Sequence, residues 1–535
     1  MKSSKLMSIS GIVVILTMIM SACGAPAATP APAAPATAVP AATAAPAATA
    51  APAATAAPAA TTAPAATAAP AANTGNAANL NVADDATMKG QKVDMSILGI
   101  AGWIPSRLGV DMAPEFSKYT QDKYGYTVNF SFQEAPFSDL FQKAATSLAT
   151  KSQEYNIIIS DSQWLGALAE PKWIISMNDV IAKYPELNIE WNNQVVKDAY
   201  MTYPDGTSSM YGLPEEGDVV VLYVRKDLFS DPANMSAFKA KYGFDLPQTF
   251  DDWTKIDMDS FAKISEFFTK PDKSLYGTVM QYSKTYDFMT MFLYPFMFSM
   301  GGDIWDAKTG TIYGILNSDI NAKAMQVNKD WLKYQPDGVL NYGISENADT
   351  FTKGKAATAF QWAAMGATMV YDKSKVMVVT PPGIKQADGS IKRVYSIGGQ
   401  PWVVNAFNDP VHMRVAMDFL RWWYLPATQL EYAQKGGNPT TKAAMSDPGF
   451  NAINPWNQAY AYMLTTEHAR DFWHVSKYSE MLAVQQEGWT AFASGQVTDA
   501  KNTLEWIACQ QQKIMNDASL SQVAPPDSCA NVQLK

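Results

Sequence analysis

VDMSILGI at residues 93–100, YTVNFSF at 126–132 and YNIIIS at 155–160 are three short runs rich in β-branched and aromatic residues. Segments with helical spacing separate them: one ends near Tyr124, and the next runs from about Phe137 to Lys151. In that second segment Leu140, Phe141, Ala144 and Leu148 share one helical face, the pattern of a helix laid on a sheet. Strand, helix, strand, helix, strand predicts βαβ units and a parallel sheet, an α/β fold. The globular region is read as starting near Lys92, and the length beyond it suits two α/β lobes better than one sheet.

Upstream the chain changes character. Lys2 and Lys5 precede the apolar run ISGIVVILTMIM, residues 9–20, which has the charged start and short core of a secretory signal and is brief for a membrane span. It ends in Met20-Ser21-Ala22-Cys23, similar to the lipobox of bacterial lipoprotein precursors, so residues 1–22 are read as a signal peptide and Cys23 as the lipidated residue. Residues 23–90 are read as a tether. As far as Asn79 they are almost only Ala, Pro and Thr, and no charged residue occurs between Lys5 and Asp84. Repeated Pro forbids a continuous helix and the rest supply too little apolar surface to fold, so the segment is expected to be disordered, with a reach on the order of 170 Å.

Composition removes several classes of function. Lys and Arg number 41 against 50 Asp and Glu, a net charge of -9, which gives no basic surface for nucleic acid. With 3 His, 3 Cys, no C-x-x-C and no H-E-x-x-H, no metal site is expected, and no cofactor either: Walker, G-x-G-x-x-G and G-x-S-x-G motifs are missing. The run 288–302 (FMTMFLYPFMFSMGG) is short, contains Pro295 and reads as a buried helix. The 15 Trp and 24 Tyr offer flat apolar faces to a neutral ligand such as a sugar. Glu215, Glu216 and Asp218 form the one acidic cluster that could serve a glycosidase. In an extended strand Glu215 and Glu216 point apart, while Glu216 and Asp218 share a face and could accept sugar hydroxyls without any reaction.

Tyr211-Gly-Leu-Pro followed by VVVLYVRKDLF (219–229) resembles a segment of the bacterial extracellular solute-binding proteins of family 1, the group of the maltose-binding protein. YNIIISDSQWLGALAE (155–170), the stretch 301–318, FTKGKAATAFQW (351–362), SIGGQPWVVNAF (396–407), EYAQKGGNPTT (431–441) and the closing helix 493–515 are similar in the family's order. The resemblance implies a two-lobed periplasmic-binding-protein-like fold of type II, hinge-connected, with crossings near 215–221 and 397–405. The lobes would be 92–214 with 404–440 and 222–396 with 441–525. It further implies an extracytoplasmic monomer, not an enzyme, held at the membrane by lipid on Cys23, that passes a sugar or polyol to the transmembrane subunits of an ABC permease. A cell-surface glycoside hydrolase and a receptor of the same fold for a non-sugar solute are the alternatives.

Carried over by segment, Trp103, Trp164, Trp362 and Trp402 are the expected aromatic platforms. Asp161, Glu216 and Asp218 are the expected acceptors of hydroxyl hydrogens, and Gly436-Gly437 would allow backbone to approach the ligand. Trp305, Trp422 and Trp423 read as packing. With Cys23 lipidated, Cys509 and Cys529 remain in a chain addressed to an oxidising compartment, so a disulfide between them is expected.

Overall fold

The computed structural model describes residues 75–535. The signal segment, Cys23 and the tether as far as residue 74 lie outside the described residues. The strands are β1 Lys92–Ile100, β2 Thr127–Ala135, β3 Ile157–Ile159, β4 Leu213–Pro214, β5 Asp218–Arg225, β6 Tyr276–Val279, β7 Ala356–Trp362, β8 Val376–Val379, β9 Ile384–Lys385, β10 Ile391–Lys392, β11 Tyr395–Gly398, β12 Pro401–Val404 and β13 Ala469–Arg470. One sheet has the order β2-β1-β3-β12-β4; the second has β13-β11-β5-β7-β6 with β8 also on β5, and β9 and β10 make a separate hairpin.

The expected βαβ start is present: β1 pairs in parallel with β2 and with β3. The expected parallel sheet is not, because both sheets are mixed. β12 runs antiparallel to β3 and β4, and β5 antiparallel to β11, β7 and β8. The cause is topological. The chain leaves the first sheet after β4 and returns from the second at β12, travelling the other way.

Burial follows the strand type. Val219 to Val224 in β5 are all fully buried, as for a central strand covered on both faces. Helix Pro410–Trp423 covers the first sheet, where Phe116 meets Phe419 edge-on at 5.4 Å and Trp402 meets Trp423 edge-on at 5.5 Å. The apolar run after residue 288 forms the helix Thr290–Met300, buried all round except at Met300. It is held to the second sheet by Ser396 Oγ donating to the Met291 carbonyl at 3.0 Å. Among the described residues no helix is long and apolar enough to cross a membrane.

The folded body begins before Lys92. Asp84 caps the helix Asp85–Met88, Asp85 pairs with Arg414 at 2.7 Å, and the Asn76 amide and Asn79 side chain both donate to Asp179. Residues 75–90 are therefore docked chain rather than tether; Asn and Asp have replaced Ala, Pro and Thr there, which supplies caps and an ion pair. At the other end Cys509 and Cys529 are joined by a disulfide with Cα atoms 5.3 Å apart, within the range such a bridge needs. It fastens the tail to the helix Ala500–Asp517.

Candidate functional site: a cavity at the two crossovers

Of the three passes of chain between the sheets, the first two lie side by side. Residues 215–217 lead from β4 to β5, and 399–400 lead from β11 to β12. The amides of Glu215 and Glu216 both donate to the Gln400 carbonyl, at 2.7 and 3.2 Å. Gly399 has φ of +93°, and a Cβ there would lie 2.8 Å from the Asp218 amide and the Glu216 carbonyl, so only glycine fits.

Beside these passes lies a cavity with about 440 Å³ of free space, in which the centre of a water-sized sphere can occupy only about 40 Å³. That is room for a few waters, since one needs about 10–15 Å³. Its wall takes residues from both sheets: Ile100, Trp103, Phe137 and Asp161 from the first, Asp218, Asp287, Phe288, Met291, Ile344 and Trp362 from the second, with Gly398, Gly399 and Gln400 from the crossover.

Of the residues expected from sequence, Trp103, Asp161, Asp218 and Trp362 meet in this wall. Trp362 ends β7, and its ring lies so close over Gly398 that a Cβ there would come within 2.9 Å of it. Trp103 donates its indole N–H to Glu216. Glu216 is fully buried behind that contact and does not line the cavity, so it and Asp218 do not present themselves together as the regular strand predicted. Trp164 lies one layer back, 1% exposed and enclosed by Phe137, Phe141 and Tyr286.

Two expectations are corrected. Trp402 pairs with Ile159 and Leu213 in the first sheet, and its fully buried ring packs on Phe419 and Trp423, away from the cavity. Gly436 and Gly437 follow the helix Pro426–Gln434; Gly437 lies against the Tyr432 ring and neither lines the cavity. What the sequence reading missed is Tyr286-Asp287-Phe288, just ahead of the apolar helix, together with Phe137 and Gln400. An aspartate abutting an uncharged run was the available signal. Gln400 stands directly after the hinge glycines, in the place considered for an aromatic.

The electrostatics are one-sided. Burial pushes Asp161 up to about 7, with the Asp471 charge adding and the bonds from Tyr286 and Ser162 opposing. Burial likewise takes Asp218 up to about 8, although the Ala364 and Val219 amides donate to it. Asp287 is pushed well above the carboxylate range by burial and by Asp161. Glu216 is raised by burial, then by Glu215 and Asp218; Glu215 is raised by burial. Beyond Asp161, on the far side of Asp471, sits His474. Burial would discharge His474, but Asp205 at 2.8 Å and Asp471 at 3.0 Å outweigh it and hold its pKa well above the usual imidazole range. Asp471, just after β13, also accepts from Ser162 and Gln163, just after β3, at 2.9 and 2.6 Å. These bonds and the Tyr286 hydroxyl on Asp161 join the two sides of the cavity.

The family model described as bacterial extracellular solute-binding protein matches residues 109–430. Among solved structures, the chain is similar to an ABC transporter solute-binding protein of Agrobacterium radiobacter K84 in complex with ribitol, with a TM-score of 0.64 and 19% identity over 80% of this chain and 99% of that one. It is similar to the maltose-bound MalE3 of T. maritima, with a TM-score of 0.61 and 20% identity over 79% and 100%. A third, a substrate-binding protein of Listeria monocytogenes in complex with cycloalternan, has a TM-score of 0.62 and 16% identity over 80% and 100%.

Proposed function

Because the chain belongs to the bacterial extracellular solute-binding proteins, we propose that its crossover cavity binds a sugar or polyol and that the protein hands this solute to an ABC permease. The observation that carries the reading is the cavity wall itself: two indoles, Trp103 and Trp362, stand with buried carboxylates beside the first two chain passes between the sheets. Indole faces suit the C–H faces of a sugar and carboxylates suit its hydroxyls. That the similar structures hold ribitol, maltose and cycloalternan supports the class of solute. The moving bodies are residues 92–214 with 404–440 and 222–396 with 441–525, bending at the crossovers as in other hinge-closing binding proteins. Lipid on Cys23 retains the protein outside the cytoplasmic membrane as a monomer. Glycoside turnover is not part of the reading: the family and the similar structures are described as binding proteins.

A panel of polyols, monosaccharides and malto-oligosaccharides read by thermal shift tests it. A true solute at 100 times its Kd adds ~2.7 kcal/mol of stability. No shift from any member overturns the sugar assignment. Retention of a Cys23→Ser variant in the membrane fraction overturns the anchor.

A further inference from the structure

The titratable part of the cavity wall is acidic. Asp161, Asp218 and Asp287 line it, and no Lys, Arg or His does. Asp287 is only 4% exposed, yet among the described residues no other residue's side chain or backbone donates to its carboxylate. The Gln400 side-chain oxygen, in the same wall, is buried without a donor as well. The indole N–H of Trp103 is already taken by Glu216, and His474 is engaged by Asp205 and Asp471. A neutral sugar hydroxyl both donates and accepts, so a wall built for it gains from supplying donors too. Asp161 is met by Ser162 and Tyr286 and Asp218 by the Val219 and Ala364 amides, which leaves Asp287 and the Gln400 oxygen as the spare acceptors, and burying such groups costs free energy unless a donor or cation meets them. A metal ion does not answer that demand: no three acidic, His or Cys side chains among the described residues converge as its ligands must. An ammonium group does. It brings three donors and a charge, and Trp103 and Trp362 in the same wall are of the aromatic type that attracts organic cations.

We propose that the solute of this cavity carries a protonated amine, an amino sugar or amino polyol whose ammonium group is received by Asp287 while its carbon skeleton lies against Trp103 and Trp362. This rests on the sugar or polyol reading and narrows it.

Matched pairs test the narrowing: glucitol against 1-amino-1-deoxyglucitol, N-acetylglucosamine against glucosamine, and maltotetraose against acarbose, whose bridging nitrogen is basic. Affinities are measured by calorimetry on the intact folded protein, alongside putrescine as an amine without hydroxyls. In at least one pair the amine is expected to bind tenfold or more tightly than its neutral partner. In Asp287→Asn, near-isosteric and uncharged, that ratio is expected to fall toward one. A neutral member binding as tightly as its amine in every pair overturns the inference and leaves the sugar reading standing. A tenfold preference that survives Asp287→Asn also overturns it as stated. Putrescine binding with no response to any sugar or polyol keeps the ammonium site and overturns the sugar reading, and silence from every compound overturns both. The wild-type ratios decide the matter even if the variant fails to fold.

Discussion

Trp362 and Trp402 are both strand tryptophans close to the hinge glycines, and they do different work. Trp362 stands over Gly398 in the cavity wall; Trp402 reaches the core, where a Cβ on Gly109 would come within 2.7 Å of its ring. Truncating Trp362 to alanine is expected to cost ~2 kcal/mol of binding, about 30-fold in Kd by calorimetry with the identified solute. Trp402→Ala, and Trp164→Ala behind the wall, should instead lower unfolding stability by ~3–5 kcal/mol in urea titrations, the price of a large core cavity. An affinity loss in Trp402→Ala with unchanged stability would show that this division is wrong. Residue types at the site were legible in the sequence, since Trp103, Asp161, Asp218 and Trp362 could be named from their segments. Ring direction was not. Trp402 shares its neighbourhood with Gln400, and only the pairing of Pro401 and Trp402 with Pro214 and Leu213 decides that the glutamine stays at the cavity while the indole goes under the helix Pro410–Trp423.

At the level of elements, the crossovers bear the most exacting geometry. Gly399→Ala places a side chain in left-handed backbone and against the neighbouring pass, so a loss of at least ~1–3 kcal/mol is expected in denaturant unfolding. A variant as stable as the wild type would mean that the passes can separate without cost. The strands β1, β2 and β3 were readable from their β-branched runs, and the helix Phe137–Ala149 from its apolar face. Strand direction past β4 was not readable. β12 and β5 carry the same kind of apolar run whichever way they point, and direction comes from how often the chain has crossed between the sheets. The docking of residues 75–90 was hidden for a related reason: it depends on Asp179, Pro410 and Arg414, partners remote in sequence.

For the whole molecule, the buried acids set a pH dependence. Asp161 and Asp218 hold protons in the folded protein up to about 7 and about 8, but release them near 4 when unfolded. The folded state then binds more protons than the unfolded one between those limits, so stability is full below ~4, falls as pH rises through the interval and levels off above it. His474 acts in the same direction, since its raised pKa contributes stability that is present below ~6.5 and lost as pH rises through the folded value. A decrease on the order of 7 kcal/mol from pH 5 to pH 8 is expected by calorimetric melting, about 3 from Asp161 and about 4 from Asp218, and Asp218→Asn should flatten the larger part of it. A melting temperature that rises over this range would contradict the burial of these acids. Overall charge and the scarcity of histidine were plain in the sequence. That one of three histidines is clasped by two aspartates, Asp205 and Asp471, could only come from the fold.

That clasp has a consequence for time rather than affinity. If the two lobes part as proposed, Asp471 must release Ser162 and Gln163, His474 must release Asp205, and Tyr286 must release Asp161. On the proposed function, uptake is then limited by the frequency with which the clasp opens. In stopped-flow tryptophan fluorescence the observed rate should level off with rising solute concentration instead of climbing in proportion to it. Replacing His474 by glutamine should raise the plateau and, by enlarging the receptive fraction, tighten apparent binding by the same population factor. A rate that stays linear to the highest concentration would mean that the gate is already ajar.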